Sequence, residues 1–168
     1  MIINKISDFF SVGKFIFLLI SIILFSCSDN AVLNEYKDFE SGYWAYNTPA
    51  TFEFSIADTS VDYSIDYHVR NSMDYEFYNL YVTYSLEKAN GDTVRSSMHE
   101  ANLVDPTTGK PLGSTAGDYY DHTIPLFQSL HFSDTGRYQF TLKQYMRRDT
   151  LEHIHAVGLR VSPENTGS

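Results

Sequence analysis

The stretch from Val61 to Val69 constrains the fold more than any other part of the chain. Val61, Tyr63, Ile65, Tyr67 and Val69 alternate with Asp62, Ser64, Asp66 and His68. Successive side chains of a β-strand point to opposite faces, so this order makes one apolar face and one polar, acid-bearing face. Wound as a helix, the same residues would scatter both sets around the axis. A strand of this kind needs neighbours to share its backbone hydrogen bonds and a second layer to cover its apolar side.

The rest of the chain predicts both. Phe52, Phe54 and Ile56 alternate with Thr51, Glu53 and Ser55, and Asp58-Thr59-Ser60 reads as the turn that follows. Phe77 to Lys88 predicts a long strand with Leu80, Val82, Tyr84 and Leu86 on one face. Asn90-Gly91 is a strong hairpin signal, with Thr93 to Leu103 as the return strand. Arg137 to Arg147 and Ile154 to Val161 supply two further strands, and Glu35 to Tyr46 enters as an edge strand that turns near Asn47-Thr48-Pro49. Asn71 to Asp74 and Asp105 to Asp118 read as loops, the second for its proline and glycine content. Tyr119 to Leu130 is mixed, with a strand at His122 to Leu126 interrupted by Pro125. About eight strands with turns between them define an all-β chain: a single β-sandwich or jelly-roll-like domain.

The first 26 residues follow a different rule. Lys5 and Lys14 flank the apolar run Phe15 to Phe25. Its roughly 11 residues fall well short of the roughly 20 that a spanning helix needs, and they fit the core of an export signal. The expected organisation is a signal peptide over 1–26, a lipidated tether over 27–34, a β-sandwich over 35–162 and a flexible tail over 163–168. Leu24-Phe25-Ser26-Cys27 resembles the bacterial lipobox. That resemblance implies cleavage before Cys27, diacylglycerol on its sulfur and an acyl chain on the new amine. Cys27 is also the only cysteine in the chain, so no internal disulfide can form. The competing reading is an ordinary secreted protein whose cysteine falls there by chance. One acyl chain holds a protein to a bilayer only marginally, at about 0.8 kcal/mol per buried methylene, whereas two or three hold it durably. Ser28 after the cysteine resembles an outer-membrane sorting signal, so a lipid-anchored protein facing the periplasm from the outer membrane is expected.

Charge excludes some partners. The chain carries a formal net charge of −9, and loss of Lys5, Lys14 and Asp8 with the leader makes it one unit more negative. Such a surface repels nucleic acid and anionic headgroups alike, so no nucleic-acid partner is expected and the membrane is reached through the lipid.

Three segments near the C-terminus carry a recognisable pattern: Gly136-Arg137-Tyr138-x-Phe140, Gln144-x-Met146-Arg147 and Val157-Gly158-Leu159-Arg160-Val161. With Leu24 to Cys27 and the chain length, they resemble the gliding-motility lipoprotein GldH family of the Bacteroidota over most of residues 25–162. The resemblance implies a lipoprotein accessory to the gliding and type IX secretion apparatus, with envelope proteins of that machinery as partners. It implies no enzymatic activity and no cofactor, and it offers no catalytic residue to carry over.

The residues give their own candidates. Tyr43, Trp44 and Tyr46 would form a partner-binding patch if exposed, since tyrosine and tryptophan dominate interface hot spots; the competing reading has them capping the sandwich end. His153 and His155, two apart on a predicted strand, would share a face and bind a metal if a carboxylate joined them; no third ligand lies close in sequence, so a polar strand face is expected. Asp134-Thr135-Gly136 spells an aspartic-protease triplet, but it occurs once and reads as turn chemistry. Asp58, Asp62 and Asp66 would need to converge to hold calcium, and a solvated face is the simpler reading. Asp118, Asp121 and His122, beside Tyr119 and Tyr120, would line a sugar or peptide groove. The alternative to an interaction protein is therefore a lipid-anchored carbohydrate- or ligand-binding module, and exposed coplanar aromatics would favour it.

Overall fold

A computed structural model describes residues 30–164. The signal peptide over 1–26, Cys27 with the first tether residues, and residues 165–168 of the tail lie outside the described residues.

Eleven strands follow in order: β1 (Leu33–Asp38), β2 (Tyr43–Ala45), β3 (Ala50–Ile56), β4 (Tyr63–Ser72), β5 (Asn79–Lys88), β6 (Thr93–Asn102), β7 (Ser114–Ala116), β8 (Tyr119–Leu130), β9 (Gly136–Gln144), β10 (Thr150–Glu152) and β11 (Ile154–Pro163). They form a five-stranded sheet ordered β1-β11-β4-β8-β7, a four-stranded sheet ordered β3-β9-β5-β6, and a two-stranded β10-β2 ribbon. Set the three short strands aside, and the eight long ones pass back and forth between two sheets, with only the β5-β6 hairpin staying in one, in the order of a jelly roll. Every pairing between these strands is antiparallel.

The alternation of the sequence becomes the core directly. Tyr63, Ile65, Tyr67 and Val69 of β4 are buried on the inward face, with Val157, Leu159 and Val161 of β11 beside them. Phe52 and Phe54 of β3, Tyr138, Phe140 and Leu142 of β9, and Leu80, Val82 and Leu86 of β5 face them from the other sheet. Aromatic edges bridge the layers: Phe132 meets Tyr63 at 5.4 Å and Phe54 at 6.1 Å, and Tyr84 of β5 meets Phe127 of β8 at 5.6 Å. The Tyr67 hydroxyl crosses from β4 to His99 Nδ1 on β6 at 2.9 Å. Burial pushes the Tyr67 phenol far above its ordinary range, so it stays a neutral partner there.

Several boundaries differ from expectation, each for a local reason. The first strand begins at Leu33, inside the expected tether, because Leu33 to Asp38 find register with Val161 to Ala156. Strand β4 runs on to Ser72 because β8 extends to Tyr119 and pairs it there. Strand β8 is continuous through Pro125. Irregular register beside Ile65 absorbs the proline, and β7 covers only Tyr119 to Asp121, so Pro125 sits where β8 is the free edge. Short strand β7 forms inside the expected Asp105 to Asp118 loop, and short strand β10 forms between the two expected C-terminal strands.

The β2-β10 ribbon pairs Trp44 with Leu151, and both are buried in the core. Trp44 stacks on Phe39 at 5.6 Å and donates its indole N–H to the Thr48 carbonyl at 2.8 Å. Trp44 therefore leaves the candidate exposed patch: alternation in β2 turns it inward and Tyr43 outward, and Tyr46, beyond the end of β2, is exposed.

Phe140 is fully buried and stacks against Tyr84 at 5.8 Å. Phe140→Ala is expected to cost about 3–5 kcal/mol of folding stability, read as an earlier midpoint in urea with an unchanged m-value. A loss below about 1 kcal/mol would mean that the site collapses freely.

Candidate functional site

The end of β9 builds the most developed surface feature. Gln144, its last residue, is fully buried. Beyond it the chain arches over four residues. The Gln144 side chain accepts a hydrogen bond from the Met146 backbone N–H at 2.8 Å and donates to the Arg148 carbonyl at 2.9 Å. Met146 in turn receives the Tyr81 backbone N–H at its sulfur, 3.3 Å away, and the Tyr145 N–H reaches the Tyr81 carbonyl at 2.8 Å. One buried amide thus satisfies the backbone of an irregular segment that no ladder could serve.

The arch presents Tyr145, 53% exposed, with Arg147 and Arg148 exposed beside it. These residues, together with Met146, Phe77, Tyr81 and Met98, line a groove of about 580 Å³. Arg148 lies 6.0 Å from the centre of the Phe77 ring and 3.4 Å from Glu76. Glu100 on β6 accepts from Asn79 at 2.6 Å; that bond, with a second from Tyr81, lowers its carboxyl pKa. On the same face, two residues along the strands, the next row runs through Met98, Thr83 and Lys143, whose ammonium stands 3.6 Å above the Tyr46 ring. Tyr46 therefore joins this surface, whereas Trp44 does not. Tyrosine, methionine and arginine around a shallow groove are the residue types that concentrate binding energy at protein interfaces.

The outer face of the five-stranded sheet holds a second concentration of chemistry. Tyr36 of β1 lies across Gly158 of β11 and stacks on His68 of β4 at 5.2 Å. Glycine is required there, because a Cβ at position 158 would stand 2.9 Å from the Tyr36 ring. Next along β4, Arg70 makes a two-pronged ion pair with Asp121 at 2.7 and 2.9 Å, which holds the Asp121 carboxyl below its ordinary range. Further on, Tyr119 packs edge-on against His155 at 4.7 Å, and His153 meets the Ser72 hydroxyl at 3.1 Å. His68 donates to or accepts from Thr123 through Nδ1, while its buried Nε2 has no partner among the described residues. Burial pushes the His68 imidazole below its ordinary pKa, so it is neutral near pH 7.

The remaining sequence candidates separate. His153 and His155 do not ride one strand: His153 has φ of 67° between β10 and β11, and the β11 register shifts between Ile154 and Ala156. No group of three potential metal ligands occurs among the described residues. Asp121 and His122 are adjacent, so alternation places Asp121 outside with Arg70 and buries His122 beneath Gly113. Asp62 accepts from Ser129 and His131, and Asp58 from Ser60, rather than converging with Asp66. Asp134 pairs with Lys88 at 2.6 Å and its carbonyl receives the Tyr138 hydroxyl, as turn chemistry requires.

A filled sandwich with its polar and aromatic chemistry on the two outer faces is a surface-presenting jelly-roll domain. The chain belongs to the GldH lipoprotein family, whose family model matches residues 31–161. It is 29% identical over 160 residues to the gliding motility lipoprotein GldH homolog of Christiangramia forsetii, covering 90% of this chain and 94% of that one. It is 27% identical over 157 residues to the gliding motility lipoprotein GldH of Flavobacterium johnsoniae, covering 89% and 96%. Among solved structures it is similar to a carbohydrate-binding module specific for non-crystalline cellulose (13% identity, 83% and 77% coverage, TM-score 0.44). It is also similar to the VP2 subviral particle of infectious bursal disease virus (13% identity, 76% and 29% coverage, TM-score 0.35). Both structural likenesses are too distant to bear on what this chain binds.

The Gln144-x-Met146-Arg147 pattern thus has a physical reason, one side chain that ties the arch. Gln144→Leu leaves the Met146 N–H and Arg148 carbonyl without that partner. The expected result is a loss of about 1–3 kcal/mol, with amide exchange accelerated more at Met146 than at the β4 amides, which follow global stability.

Proposed function

We propose that this protein is a non-enzymatic, lipid-anchored interaction component of the cell envelope that serves gliding motility and the type IX secretion apparatus. Its relatives are named as gliding motility lipoproteins over nearly their whole length. The observation that carries the reading is the arch tied by Gln144, which holds Tyr145 and Arg147 rigidly beside a groove. A pre-organised surface of this composition keeps its binding energy, since little conformational freedom is lost when a partner docks. In this proposal Cys27 carries the lipid and the domain faces the periplasm from the outer membrane, where Ser28 resembles the sorting signal. The groove receives another envelope protein of the same apparatus, with Arg147 and Arg148 favouring an acidic surface on it.

Mass spectrometry of the mature protein is expected to find a lipidated Cys27 at the new N-terminus. Cys27→Ser behind an ordinary cleavable secretory leader is expected to leave a folded domain in the soluble periplasmic fraction. An unmodified thiol, or retention of that variant in outer membrane, would remove the lipid from the account.

Cross-linking in intact cells, with the captured envelope proteins identified, tests the partner. Tyr145→Ala combined with Arg147→Ala is expected to abolish the main cross-link and the motility or secretion phenotype while the far-ultraviolet spectrum stays unchanged. Wild-type cross-linking and motility in that double variant would refute the groove as the docking surface.

A further inference from the structure

The outer face of the five-stranded sheet carries features that the interaction proposal does not use. Tyr36 and Tyr119, 44% and 37% exposed, stand at either end of the Arg70–Asp121 pair. Tyr36 belongs to the row of His68 and Tyr119 to the row of Ser72. Four residues of strand separate those rows, roughly 13 Å.

Several costly local choices converge on this face. Gly158 removes a side chain so that the edge of the Tyr36 ring can approach the strand while its face stacks on His68. His153 is the only non-glycine residue with positive φ among the described residues, a conformation that persists only where its surroundings impose it. The register shift in β11 puts His155 against Tyr119 instead of continuing the ladder, and bulges of this kind re-aim side chains beside functional sites. His68, 8% exposed, keeps a buried ring nitrogen without a partner among the described residues.

We propose that this face binds a neutral glycan chain, laid along β4 with sugar rings against Tyr36 and Tyr119 and hydroxyls on the Arg70–Asp121 pair between them. The chemistry selects that class. A pyranose offers a flat face of C–H groups, which suits an exposed aromatic face. Adjacent hydroxyls can donate to the spare lone pairs of Asp121 and accept from guanidinium N–H groups that the ion pair leaves over, since arginine has five and the pair uses two. The pair neutralises itself, and the chain as a whole is strongly acidic, so anionic polymers are repelled. A protein partner would want a continuous apolar centre, and here a charged pair occupies the middle. The site lies on the opposite sheet from the groove, so the two readings fail independently.

The test uses the full-length lipidated protein in a sugar-free detergent. It is titrated calorimetrically with β1,4-linked tetrasaccharides of glucose, mannose and N-acetylglucosamine. Saturable binding of at least one is expected. Tyr36→Ala and Tyr119→Ala are each expected to weaken it about tenfold, and Asp121→Asn, which keeps the shape, to weaken it also. Tyr145→Ala, in the other groove, is expected to leave it unchanged. No binding to any of the three, binding that survives the double Tyr36→Ala and Tyr119→Ala variant in folded protein, or equal loss in Tyr145→Ala would overturn the proposal.

Discussion

Contact between the inward faces of two antiparallel sheets holds this domain together. Each sheet alone would expose a row of Tyr, Phe, Ile, Leu and Val to water. Facing each other, Tyr63, Phe54, Phe132 and Tyr138 interlock at ring separations of 4.7 to 6.1 Å. Without a disulfide, this burial and the ladder hydrogen bonds are what oppose the conformational entropy of the chain. Everything on the outer faces inherits its position from that packing, because strand register fixes which residues share a row.

Much of this architecture is legible in the sequence, and the reason is periodicity. The alternation in Tyr63 to Val69 and in Phe52 to Ile56 survives as inward and outward rows, while Val61 and Asp62 fall before β4 begins. The Asn90-Gly91 hairpin falls where its turn chemistry requires, with Gly91 at φ of 90°. Tertiary context decides what periodicity leaves open. Whether Trp44 faces out depends on Leu151 and Phe39, which are distant or unpatterned in sequence. A single residue of left-handed backbone and a register shift undo the apparent pairing of His153 with His155, and neither leaves a compositional trace.

The arch at Tyr145 escaped pattern reading for a related reason. Gln144 sits at an inward strand position where an apolar residue would be expected, yet a buried amide in a strand looks like ordinary polar substitution until its two backbone partners are known. The signal is a glutamine in alternation with the buried Phe140 and Leu142, followed at once by Tyr145, Met146 and two arginines. Likewise Gly158, amid a run of buried aliphatics, marks a close approach that only the Tyr36 ring explains.

Strand direction carries a consequence for reach. The chain enters the sandwich at Leu33, level with Val161 and Ile65, while β4 runs from there to Ser72 at the far end and β9 runs the same way to Gln144. Tyr145, the β2-β10 ribbon and Tyr119 therefore stand at the end remote from Leu33, about 23 Å away along the seven residues from Ile65 to Ser72. Any leash holding the domain at Leu33 leaves these surfaces as its outermost ground, with headroom for a large neighbour to approach unobstructed by whatever the leash is tied to.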